Sequence, residues 1–198
     1  MPKIFYVITV GALLFMTGCL SSPSPAVTYH LLHPAAVPAE ETGSWDPSMY
    51  VVVGPVVLPS HLDRPQIVAR RMNHTLLLND YQRWAEPLRE GIARAVAENL
   101  SRLTGAEKFF IYPFDTPKGG VSMQVFMDVV RFDTDEAGNA FFDLRWGVKN
   151  GKRQTLTTAH TTLQRKVGGA DQPARVEALS RLISVFSSEV VETLRQLE

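Results

Sequence analysis

The chain has 198 residues, 45% apolar and 20% charged, with 20 basic and 20 acidic side chains. That length allows one domain or two small ones, and the composition suits a packed globular protein rather than a disordered chain or a coiled coil. Zero net charge supplies no basic excess for a nucleic-acid partner. The single cysteine, Cys19, excludes an internal disulfide and a cysteine-rich zinc site.

The first elements lie at the N-terminus. Lys3 gives a short positive region, and Ile4 to Met16 is an unbroken run of apolar or small residues. Thirteen helical residues span roughly 20 Å, short of the ~30 Å hydrocarbon core. The run therefore reads as the hydrophobic part of a secretory signal, residues 1–18. It ends in Thr17, Gly18 and Cys19, which resembles a bacterial lipobox. That resemblance implies cleavage before Cys19, lipidation of its sulfur and acylation of the new amine. Leu20, where an aspartate tends to retain a Gram-negative lipoprotein at the inner membrane, favours the outer one. Residues 19–26, with Pro23 and Pro25 among small polar residues, read as an extended tether. Residues 27–198 then form the periplasmic domain, and the mature chain carries 19 basic against 20 acidic groups.

Val27 to Leu32 reads as a short strand, and the proline-bearing stretch from His33 to Ser48 as a surface connection. Tyr50 to Leu58 is a valine-rich run that fits a strand buried on both faces, with Pro55 marking a bulge or an edge. Ile67 to Arg71 and Thr75 to Leu78 suit a hairpin turning at Asn73 and His74. From Pro87 to Leu103, Leu88, Ile92, Val96, Leu100 and Leu103 recur at helical spacing, and Gly105 supplies the stop. Glu90, Arg94, Glu98 and Arg102 form a solvated charge ladder on the other face. Lys108 to Tyr112 is a further strand. Alternation then predicts a meander over 121–129, 140–148 and 153–163. Its connections are a loop from Asp133 to Asn139 and a two-residue turn at Asn150 and Gly151. A last helix, Gln172 to Leu197, carries the stripe Val176, Leu179, Ile183, Phe186, Val190, Leu194 and Leu197. The expected architecture is a single α/β domain: a mixed sheet with an antiparallel C-terminal meander, packed by two long amphipathic helices.

The residues offer little reactive chemistry. His30 and His33 lack a third ligand nearby, so no metal or other cofactor is expected. No nucleophile elbow, phosphate-binding loop or dinucleotide fingerprint occurs. Asp133, Asp135 and Glu136 read as solvated turn carboxylates rather than a catalytic pair. Two segments carry more than a fold needs: Gly54 to Val68 and Arg83 to Leu88. Singly, Asp63 suits a turn cap, Pro65 a stiffener and Trp84 a core lid. Together, Leu62, Asp63, Arg64, Pro65, Gln66, Arg83 and Trp84 have the chemistry of a protein interface, where arginine and tryptophan are enriched.

Those segments carry a resemblance to a known family. The run Gly54-Pro-Val-Val-Leu-Pro59, the run Leu62-Asp-Arg-Pro-Gln-Ile-Val-Ala-Arg70 and the run Arg83-Trp-Ala-Glu-Pro-Leu88 are similar to PqiC/YmbA-type auxiliary lipoproteins of ABC-type and MCE-type transport systems. The likeness continues through Asn99 and Leu100, the stretch Val129 to Asp133 and the last helix. His61 departs from the aromatic residue usual in the family. The resemblance implies a periplasmic α/β domain with a curved mixed sheet and no enzymatic activity. It implies an outer-membrane-anchored subunit of a PqiABC-like lipid-transport system that docks a PqiB-like MCE component spanning the periplasm and supports membrane integrity. Self-association into a homo-oligomer is expected with it. Two other classes stay open on the residues alone: a structural lipoprotein that stabilises another outer-membrane complex, and a periplasmic hydrolase.

Overall fold

The computed structural model describes residues 25–35, 45–46, 48–71, 73, 75–113 and 120–197. Cys19, the signal-like segment 1–18 and His74 of the expected turn lie outside the described residues. In chain order the elements are β1 (Thr28–His30), β2 (Val51–Val57), β3 (Gln66–Arg70), β4 (Leu76–Trp84), α1 (Leu88–Thr104), β5 (Phe109–Ile111), β6 (Met123–Asp135), β7 (Asn139–Asn150), β8 (Thr155–Lys166) and α2 (Gln172–Gln196).

All eight strands belong to one curled, half-barrel-like mixed sheet. β6, β7 and β8 form the antiparallel meander. The other edge of β6 is shared. β2 runs parallel to it over Met123–Asp128, and β3 joins it at Thr134 and Asp135. β5 then adds to β2, and β4 and β1 continue from β3, so the sheet forks. The chain from Leu58 to Pro65 crosses between the two branches. Pro55 sits where the β2–β6 register shifts, between Val53 and Val56, as expected of a residue with no N–H to donate.

Both helices pack on one face of the sheet, α1 against β2 and β5, α2 against β6, β7 and β8, and they contact each other. Their stripes are the predicted ones. Ile92, Val96 and Leu100, and Ile183, Phe186, Val190 and Leu194, are fully buried. α1 ends where Gly105 takes φ 69°, a left-handed value that glycine adopts without steric cost, and its N–H reaches Ser101 O. α2 starts at Asp171, whose side chain accepts from the Ala174 N–H at 3.1 Å. Phe186 meets Phe142 and Trp146 edge-on at centroid distances of 5.5 and 5.3 Å. The buried Trp146 indole donates to Thr161 Oγ1, and that hydroxyl donates to Glu189 Oε1, which ties β7, β8 and α2 together.

The face away from the helices is not bare. Lys149 and Arg131 lie over the rings of Phe126 and Phe141, at 4.8 and 3.5 Å from the centroids. Gly147 makes room for one of those rings: a Cβ there would meet Thr157 O at 2.5 Å and Phe126 Cζ at 2.7 Å.

Two local expectations are corrected. β6 runs on to Asp135, which shortens the first hairpin connection to residues 136–138. Asp133 is therefore a fully buried strand residue and not a turn carboxylate. The Asn150 turn is also longer than two residues. Asn150 N–H bonds Gln154 O, Arg153 N–H bonds Asn150 O, and Arg153 adopts φ 62°.

Candidate functional site

The loop between β2 and β3 is organised from within. Leu62 and Asp63 both donate their N–H to Pro59 O, and Leu62 puts its side chain into the core at 1% exposure. The Pro65 carbonyl accepts from Trp84 N–H at 2.7 Å, and Gln66 registers with Arg83. The two sequence segments singled out above therefore meet in space. Asp63 is bonded by Arg89 in the first turn of α1, not by Arg64. Gln66 Nε2 and Arg83 Nε converge on Asp80, at its carboxylate (3.0 Å) and its carbonyl (2.8 Å).

The seven candidate interface residues divide by exposure. Leu62 and Trp84 belong to the core, and Trp84 faces inward, tilted against Phe132 at 6.4 Å. Asp63 and Pro65 are exposed, and Arg64, Gln66 and Arg83 are half-buried. Arg64 Nε has no hydrogen-bond partner among the described residues, and neither does the half-buried His61 Nε2.

A second network was not visible in the sequence. Asp133 is fully buried and accepts from Arg70 Nε at 3.2 Å and from Arg131 Nε at 2.9 Å. Arg70 stands on β3 while Arg131 and Asp133 stand on β6, so the carboxylate clasps the β3 branch of the fork to β6.

Beyond β1 the chain lies across the helices. His33 Nε2 is 2.7 Å from Glu177 Oε2, while its ring Nδ1 and main-chain N–H both lie 3.4 Å from Ser180 Oγ. Arg102 bonds Pro34 O, and Ser184 Oγ donates to Ala35 O. The order serine, histidine, carboxylate resembles a hydrolytic relay. However, Ser180 is fully buried in α2 and faces the main chain of the strap. A nucleophile must reach its substrate, so these contacts fasten residues 31–35 to the helix layer. The Arg181 hydrogen bond holds the Glu177 carboxyl below its ordinary range, with burial opposing and His33 assisting.

Among the described residues, no group of three histidine, cysteine or carboxylate side chains could hold a metal, and no helix is long and apolar enough to cross a membrane.

The loop and the network that brace this end of the sheet can be set beside known proteins. Residues 29–191 match the family model described as the ABC-type transport auxiliary lipoprotein component. The chain belongs to that family of PqiC/YmbA-type lipoproteins. Two crystal structures share the fold. One is of an uncharacterised protein, 14% identical, covering 86% of this chain and 99% of its own, with a TM-score of 0.69. The other is of a Xanthomonas campestris protein, 19% identical, covering 84% and 91%, with a TM-score of 0.60. No curated protein sequence matches.

Proposed function

We propose that this lipoprotein acts without catalysis at the outer membrane. Anchored through Cys19 on the periplasmic face, it self-associates and docks the periplasm-spanning MCE subunit of a PqiABC-like lipid-transport system. The observation that carries the docking role is the loop from Asp63 to Gln66. It is fixed by Arg89 at one end and by the Pro65–Trp84 bond at the other, and it carries the half-buried Arg64, whose Nε has no hydrogen-bond partner among the described residues. An arginine held by rigid neighbours loses little freedom on binding and suits carboxylates or backbone carbonyls.

Arg64→Ala is expected to weaken assembly or MCE capture by more than ~1 kcal/mol and to leave the melting midpoint nearly unchanged. Pull-down with an MCE protein and light scattering read the first effect, and a thermal melt reads the second. If the variant binds and assembles as wild type does, or melts early, the loop has only a structural role.

Anchoring is tested separately. Cys19→Ala is expected to abolish labelling by a fatty-acid probe and to leave a precursor with an uncut leader. Equal labelling of variant and wild type would remove Cys19 from the mechanism.

A further inference from the structure

Val27, Tyr29 and Leu31 recur at alternate positions along the first described stretch of chain, and they are 40%, 62% and 57% exposed. Tyr29 registers beside Arg83 of β4, and Gln66 of β3 registers with the same arginine. Tyr81, 39% exposed, precedes Arg83 by two residues on β4. β1 ends its branch of the sheet, and no described strand lies beyond it. The result is an apolar strip with two tyrosines, edged by the half-buried Arg83 and the Asp80 that its Nε reaches.

We infer that this strip lies on the interfacial zone of the bilayer that anchors the chain. The inference rests on the proposed acylation of Cys19. Only the seven residues from Leu20 to Ala26 separate that cysteine from Val27, the first residue of the strip, and the eight steps from Cys19 to Val27, fully extended, reach about 26–29 Å. A domain of this length has a radius of gyration near 16 Å and so a diameter of about 40 Å. The leash is therefore shorter than the body it holds, and the β1 edge is the part of the sheet kept against the membrane. Tyrosine rings suit the headgroup level, where one end is apolar and the other wet, and Arg83 supplies a cation for anionic headgroups.

The native tryptophans make a direct test possible, because Trp45, Trp84 and Trp146 are only 8%, 6% and 2% exposed. Full-length acylated protein is reconstituted into vesicles of brominated phosphatidylcholine with phosphatidylglycerol. Reporters are Tyr29→Trp, Leu31→Trp as a second site, and Val185→Trp on the 52% exposed outer side of α2 as the reference. Flotation measures anchoring, and fluorescence measures depth. The expected result is that all three float and that bromolipid quenches the two strip reporters severalfold more than the Val185 reporter. Flotation with equal quenching at the three sites overturns this inference and leaves the anchor standing. A strip reporter shielded equally with and without vesicles places a second copy or another protein on the strip, which also overturns it. Failure to float overturns the anchor and the inference together.

Discussion

Replacing Phe186 by alanine is expected to destabilise the domain by about 3–5 kcal/mol, the range for removing a large aromatic from a core. Its ring is fully buried and meets both Phe142 and Trp146 edge-on, so its loss takes two aromatic contacts from the junction of α2 with β7. Trp146, whose indole donates to Thr161, would lose that packing neighbour. A thermal melt of the domain lacking residues 1–19 should show a midpoint lower by roughly 10 °C, since a chain of this size shifts about 2–4 °C per kcal/mol. Leu100→Ala, at a fully buried site on α1, is expected to cost about 2–5 kcal/mol by the same cavity argument. Val185→Ala is the control. That side chain is 52% exposed, and a surface change of this kind stays within about 0.5 kcal/mol. An unchanged midpoint for Phe186→Ala and Leu100→Ala would mean that the two helices do not bury these stripes on the sheet.

These core positions were readable from sequence because periodicity is a local signal. Ile92, Val96 and Leu100, and Ile183, Phe186 and Val190, repeat at the spacing of one helix face, and burial follows from the repeat. The meander strands were readable for the same reason, since Val125, Met127 and Val129 alternate with outward residues. Asp133 was not, because a carboxylate beside Asp135 and Glu136 has the composition of a turn. One of its two partners, Arg70, is 63 positions away, and no local pattern reports a partner at that distance. Trp84 was ambiguous in the same way. Its neighbour Arg83 faces out while Trp84 faces Phe132, and the strand parity that decides this follows from pairing with β1 and β3. Asp63 likewise finds Arg89 on α1 only because the loop folds back over the helix start. Residue chemistry singled out the segments of interest and the family resemblance fell on them, but the division of their residues into core and surface is a tertiary fact.

The Asp133 clasp leads to the second large effect. β3 has only two registered positions against β6, Ala69 with Thr134 and Arg70 with Asp135. The attachment of the β3–β4 hairpin therefore leans on the carboxylate between Arg70 and Arg131. Asp133→Ala removes the acceptor and leaves two guanidinium groups side by side, with side chains 31% and 26% exposed. Breaking a buried pair by deleting one partner typically costs 3–5 kcal/mol. Both arginines can turn partly toward water, so about 3 kcal/mol is expected here. Arg131 keeps its place over the Phe141 ring, so most of the loosening should fall on Arg70 and the hairpin that carries it. Amide hydrogen exchange should then speed up across Gln66 to Trp84, while α1 and the meander stay protected. Pairing Asp133→Leu with Arg70→Met and Arg131→Met removes all three charges together. That variant should recover much of the lost stability, because replacing a whole buried ionic group by apolar residues is often neutral or favourable. If Asp133→Ala melts like wild type and exchanges uniformly, the clasp does not hold the fork. The loop from Asp63 to Gln66, which depends on β3 for its position, would then need another source of rigidity to serve as a docking surface.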